Sequence, residues 1–207
     1  MTAVDRPRTH PAPSAEGTPG HAGNAEDTTP ASGPAREEEL RRVAAAVPDP
    51  ELPVIGLGDL GVLRSVQLSP DGVRAEVEIT PTYSGCPAVE AMATDVESAL
   101  REAGVPEVRV RTVLSPPWST DDITPAGRRA LADAGLAPPR PGGPTGGAAD
   151  GPVPVELAIR CPRCGSTATT LMSRFSATPC TSLRRCESCR EPFDHVKELI
   201  HVPRAAG

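Results

Sequence analysis

The stretch VRAEVEITPTYSGCPAVEAMATDVESALREAG, residues 73–104, decides the fold. Val73, Ala75, Val77 and Ile79 alternate with Arg74, Glu76 and Glu78. A period of two puts the apolar set on one face, which predicts a half-buried strand. After the loop Thr80–Gly85 the period changes. Val89, Met92, Ala93, Val96, Ala99 and Leu100 recur at helical spacing, which predicts an amphipathic helix from Pro87 to Ala103 that Gly104 ends. Proline suits a first helical position, so Cys86 is expected at the cap.

Working outward, Ser69-Pro70-Asp71-Gly72 has turn chemistry, and Val62–Leu68 before it reads as the partner strand of a hairpin. Arg36–Val47 places Leu40, Val43, Ala44 and Val47 on one helical face, and Pro48 and Pro50 stop it. Downstream, Val108–Leu114 reads as a third strand. Thr124 caps a last helix with Pro125 in its first turn and Gly135 at its end. The order α-β-β-α-β-α predicts an α+β domain over residues 36–136, one sheet with helices packed on it.

Composition bounds the rest. Of 207 residues, 26 are Pro and 19 Gly, and only Tyr83, Trp118, Phe175 and Phe193 are aromatic, too few for one large core. Residues 1–35 lack apolar periodicity and read as a disordered tail. Residues 137–154, APPRPGGPTGGAADGPVP, read as a linker. A net charge of −6 gives no global attraction to nucleic acid or an anionic membrane. No apolar run reaches ~18 residues, and the first residues carry no signal-like apolar stretch, so a cytoplasmic protein with reduced cysteines is expected.

The remaining piece, residues 155–203, is too small to fold by burial. Strands are expected over Val155–Arg160, Thr167–Ser173, Ser182–Cys186 and Phe193–Val202. Cys161-Pro-Arg-Cys164 and Cys186-Glu-Ser-Cys189 form two C-x-x-C pairs with 21 residues between them. Two such knuckles bring four thiolates to one point, which predicts a structural zinc β-ribbon. Four thiolates also suit an iron–sulfur cluster. A redox dithiol would leave one pair unexplained, and disulfides are disfavoured in a reducing compartment. Arg160, Arg163, Arg184, Arg185 and Arg190 offset the charge of such a centre; the alternative, a nucleic-acid patch, is disfavoured by a net charge of only +3 over residues 151–207. Cys180 reads as an apolar filler before it reads as a spare ligand. His195 and His201 read as structural or exposed.

Cys86 lies at the expected positive end of a helix, where thiolates are stabilised. It is a soft-metal ligand or a plain cap. No histidine occurs in residues 36–136 to act as a base for acyl transfer. Asp49, Glu51 and Asp59 crowd a Pro- and Gly-rich loop, where they are turn formers or cation ligands.

The segments DPELPVIGLGDLGVLR (49–64) and TPTYSGCPA (80–88) resemble the SufT-like iron–sulfur assembly domain family. With CPRCGSTATTLMSRFSATPC (161–180) and RRCESCREPFDHVKE (184–198) following, the whole resembles the PaaD family, which belongs to the phenylacetyl-CoA oxygenase (1,2-phenylacetyl-CoA epoxidase) system. The resemblance implies an accessory, non-catalytic protein of phenylacetate catabolism. It implies a role in maturing or repairing iron or iron–sulfur centres of the oxygenase or its reductase. Cys86, Asp49, Glu51 and Asp59 then map to iron or cluster handling, and Cys161, Cys164, Cys186 and Cys189 to zinc. The competing expectations are a ribbon that only scaffolds oxygenase subunits and a thiol enzyme using Cys86.

Overall fold

The computed structural model describes residues 33–83, 85–140 and 158–198. The expected tail before residue 33, the expected linker from residue 141, part of the first ribbon strand and His201 lie outside the described residues.

Helix α1 spans Pro34–Ala46, starting two residues earlier than expected because Pro34 fits its first turn. It buries Leu40 and Ala44. A four-residue helix α2, Leu57–Leu60, was not expected; it buries Leu57 and Leu60. Strand β1, Leu63–Leu68, pairs antiparallel with β2, Arg74–Ile79, through the turn in which Gly72 N–H donates to Ser69 O at 2.8 Å. Helix α3, Val89–Glu102, carries the chain to β3, Glu107–Thr112, which lies parallel to β2. Sheet order is β1-β2-β3. Helix α4, Pro125–Asp133, is capped by Thr124, whose side chain accepts from Gly127 N–H.

One sheet face is covered and the other is open. Ala75, Val77 and Ile79 are buried, as the alternation predicts, while Val73 is 41 % exposed. Val73 stands one residue before β2, and its carbonyl still accepts from Glu107 N–H at 3.0 Å. Met92, Val96 and Leu100 of α3 are buried against this face, and each such side chain contributes about 1.5–3 kcal/mol. The open face carries Arg74–Glu107 at 3.0 Å and Arg111–Glu78 at 2.8 Å, exposed pairs of small value.

A second sheet, β4-β5-β6, comprises Thr169–Ser173, Thr181–Cys186 and Pro192–Val196. The expected strand over Val155–Arg160 does not form in its described residues 158–160. The second sheet does not stand apart. Residues 137–140, expected to open the linker, pack onto β6: Ala137 N–H donates to Asp194 O at 2.7 Å and Val196 N–H to Ala137 O at 3.1 Å. Val196 joins the core of the first domain, and Arg140 binds both carboxylate oxygens of Glu198. None of the described helices is long and apolar enough to cross a membrane.

Gly61 closes α2 with φ 78°, and a Cβ there would lie 2.5 Å from Asp122 O. Left-handed backbone alone costs a non-glycine residue about 1–3 kcal/mol. Gly61→Ala is expected to lower stability by at least about 1 kcal/mol. Urea unfolding followed by Trp118 fluorescence measures it directly, because the indole N–H of Trp118 donates to Leu60 O in the same corner.

Candidate metal centre and the Cys86 cavity

The two knuckles are built alike. In the first, Gly165 N–H donates to Cys161 O and Cys161 N–H to Ser166 O, both at 2.9 Å. In the second, Cys186 N–H donates to Glu191 O at 3.0 Å. The residue after each second cysteine has positive φ: Gly165 at 72° and Arg190 at 67°. The four sulfurs lie within 4.8 Å of one another, with Cys161–Cys189 at 3.8 Å and Cys164–Cys186 at 3.5 Å. Sulfurs at the corners of a zinc tetrahedron with ~2.3 Å bonds stand about 3.8 Å apart, so the cage fits zinc. The backbone N–H of Cys189 chiefly pulls the Cys186 thiol down to about 6. Cys189 is pushed up to about 12: the Glu191 N–H favours its thiolate, but burial and the neighbouring sulfurs outweigh it. Four thiolates at one point need a cation between them. Around the cage, Arg185 and Arg190 pair with Glu187, and Arg160 donates to Gly165 O.

Little else holds the ribbon. Its own buried cluster is Ala137, Ile159, Cys161, Cys186 and Phe193. His195 is buried, not a ligand: burial holds its pKa near 4, and Nδ1 lies 3.4 Å from Ser182 Oγ.

The second gathering lies where the modules meet. Cys86, Asp49, Glu51, Trp118, Cys180 and Val196 line a cavity of about 20 Å³, room for roughly one water-sized guest. Asp49 is buried, and its Oδ1 accepts from Glu51 N–H at 2.9 Å and Leu52 N–H at 2.8 Å, which orders the loop and aims Glu51. Burial raises the Asp49 carboxyl against these two bonds. Cys180 Sγ donates to Glu51 Oε2 at 3.5 Å.

Two expectations need correction. Cys86 is not the cap: α3 begins at Val89 with Ala88 as its N-cap. The N–H groups of Ala88 and Val89 still favour the Cys86 thiolate, but burial, joined by the charges of Glu51 and Asp49, pushes the thiol above its ordinary range. The helix end loses to desolvation. Asp59 faces elsewhere: its Oδ1 accepts from Thr124 Oγ1 at 2.5 Å, tying α2 to α4. Cys180, read as a filler, packs partly buried against the first domain's core as a filler does, and it also lines the cavity with Cys86. Trp118 carries no motif; being the lone tryptophan is the only sequence signal that it lines a site.

The model for an iron-sulfur cluster assembly protein matches residues 37–115, and that for the PaaD zinc beta ribbon domain matches residues 148–197. An Escherichia coli (strain K12) protein, named as a "Putative 1,2-phenylacetyl-CoA epoxidase" subunit, is 41% identical over 164 residues, 79% of this chain and 94% of that one. The chain belongs to the PaaD family. Among solved structures, a domain of unknown function (DUF59) from Bacillus anthracis is 31% identical and covers 47% of this chain and 92% of its own, at a TM-score of 0.44. A Mycobacterium tuberculosis protein, described as associated with Fe-S complex assembly and repair, is 34% identical over 51% of this chain and 92% of its own, at a TM-score of 0.29. The family assignment rests on the sequence matches, and the four-cysteine cage lies inside the segment that the zinc beta ribbon model matches.

Two outcomes follow for this region. Chelation, or Cys161→Ser, is expected to remove about one zinc per chain, disorder the ribbon and shift Trp118 emission to longer wavelength as Val196 leaves the cavity. Unchanged emission after complete zinc loss would show that the cavity does not depend on the cage. Thiol labelling gives the second. Cys180 is pushed up to about 11 from 9.0, chiefly by burial, so at neutral pH its thiolate fraction is roughly a hundredfold below an ordinary thiol's. In the zinc-loaded chain, Cys86 is expected to alkylate before Cys180, and both to accelerate as pH rises toward their raised pKa values. Peptide mass mapping checks the order.

Proposed function

We propose that this chain is an accessory component of the phenylacetyl-CoA epoxidase system that helps mature or repair the iron or iron–sulfur centres of the oxygenase or its reductase. The observation that carries this reading is the position of the Cys86 thiol. It lies on the loop before α3, inside the segment matched by the iron–sulfur assembly model, and lines a cavity with Glu51 and Asp49. A thiol beside carboxylates offers donors to a thiophilic cation. Iron is then cargo, Cys86 its handling ligand, and Asp49 and Glu51 its acidic surroundings. The zinc of the ribbon is structural. Its partners are the other subunits of the oxygenase system, and the reading implies a cytoplasmic site of action.

A second reading, a scaffold that only bridges subunits, is favoured by one feature. The edge strand β4 and the turn after it expose Leu171, Met172 and Phe175, and an exposed edge strand bearing apolar side chains suits protein docking.

One experiment separates the readings. The oxygenase and reductase are co-produced with the wild-type chain or with Cys86→Ala, and their iron content and epoxidation are measured. The maturation reading expects under-loaded iron and reduced activity, with the variant's zinc content and fold unchanged. Full loading and full activity with Cys86→Ala would leave the scaffold as the better reading. A stable covalent substrate adduct on Cys86 would instead indicate a thiol enzyme.

A further inference from the structure

A sheet edge is an open row of backbone donors and acceptors, and folded chains cover it or charge it. Among the described residues, three edges are managed in this way. On β1, the N–H of Leu68 donates to Glu37 Oε2 at 3.0 Å. Strand β3 carries Glu107, Arg109 and Arg111, and β6 is flanked by Ala137. The outer edge of β4 has neither device. Thr169–Ser173 contains no charge and no proline, and Leu171 and Met172 are 44 % and 56 % exposed. Glu187 N–H donates to Ala168 O at 2.8 Å, and the alternation of an antiparallel ladder then turns the N–H and C=O of Leu171 outward. A bulge at Met172 ends the regular pairing, so the free edge is short. Just beyond it stands Phe175, which is 64 % exposed and yet held in place. Its N–H donates to Ser173 Oγ at 3.2 Å, and its carbonyl accepts from the same hydroxyl at 2.6 Å. The Lys197 ammonium lies 3.9 Å from the ring centroid and is itself anchored, donating to Pro179 O at 2.7 Å. A cation on one ring face leaves the other face to a guest.

We propose that β4 and Phe175 form a docking edge for one extended segment of another subunit, apolar and acidic in composition, which adds as a strand beside Leu171. This deepens the proposed function and rests on it only for the partner being another subunit of the oxygenase system. Backbone hydrogen bonds along the edge supply a generic attraction, and side chains beside it supply the choice of guest. An aromatic ring already ordered before binding loses little freedom when a guest covers it, which suits an anchor. The charge points to an acidic guest. Residues 158–186 hold five arginines and no acidic residue. Arg160, Arg163 and Arg185 neighbour the cage cysteines in sequence. Arg174 does not: it follows Ser173, at the end of β4 away from the Thr169–Cys186 pair, and is exposed. The same charge disfavours a second copy. Pairing β4 with another β4 about a two-fold axis sets these like-charged segments side by side.

The test uses the full-length, zinc-loaded chain, with the oxygenase and reductase subunits, each purified, as probes. Affinity is measured for each, and amide hydrogen exchange of the chain is compared free and bound. One subunit is expected to bind, to slow exchange over Thr169–Phe175, and to bind more weakly as salt is raised. Leu171→Pro removes an outward N–H and leaves the β4–β5 ladder in place. It and Arg174→Glu should each weaken binding by at least about tenfold, as should Phe175→Ala, with zinc content unchanged in all three. Should Leu171→Pro lose its zinc, the other two decide, and wild-type affinity in both overturns the proposal. A complex that leaves β4 exchange unchanged overturns it, as does a chain that binds none of the subunits or that self-associates through β4 instead. The two readings fail separately. If Arg174→Glu and Phe175→Ala bind and load the client normally while Cys86→Ala does not load it, the docking edge fails and maturation stands. If those β4 variants lose binding while Cys86→Ala supports full loading, the edge stands and maturation fails.

Discussion

Four sulfurs within 4.8 Å of one another set the terms for the second half of the molecule. Without a cation, at most some of them ionise, and the rest stay protonated in a crowded, half-buried cluster. The ribbon has little apolar burial of its own with which to offset that. Its buried cluster has five members, two of them the cage's own cysteines. Metal binding to such four-thiolate sites supplies folding energy on the order of 10 kcal/mol or more. Both knuckles give their second cysteine a left-handed neighbour. The first uses glycine, and the second accepts the strain of Arg190.

The cage acts at a distance because the ribbon sheet ends inside the first domain. Strand β5 starts beside Cys180 and finishes at Cys186, so the cavity thiol and a cage thiol sit at opposite ends of one strand. Strand β6 runs back to Val196, which is buried in the first domain's core. Two backbone hydrogen bonds to Ala137 fix the register of that contact. The Arg140–Glu198 pair, part-exposed, adds little energy. Order at the cage is thereby order at Cys180, with no need for a moving part.

Local pattern made the first domain readable. The alternation from Ala75 to Ile79 and the stripe from Met92 to Leu100 each follow from one period and one buried face. The failures share a cause. Helix α2 is four residues long, too short to show a period. Val73 continues the alternation but lies past the end of the pairing. The helix end does favour the Cys86 thiolate, as local sequence implies, but burial by distant elements outweighs it. Asp59 is near Asp49 in sequence and faces Thr124 instead. Cys180 packs against the core as the expected filler, but its contact with Glu51 was not legible. Its partner Glu51 is 129 residues away, and no spacing rule spans such a gap. The cage was legible for the opposite reason, because its ligand pairs are contiguous C-x-x-C units.

The two cavity thiols have raised pKa values, and that bears on what they can do. A nucleophilic cysteine needs either a depressed pKa or a neighbouring base. Cys86 has neither: its thiol is raised, and residues 36–136 contain no histidine. His195, the one histidine among the described residues, is buried and faces Ser182. Protonation at neutral pH makes both thiols poor at attacking carbon. It does not bar metal capture, since the ion itself displaces the proton. Burial chiefly raises both thiols, and the Glu51 carboxylate adds to the rise. The same burial and charge that raise these thiols therefore count against acyl transfer by Cys86.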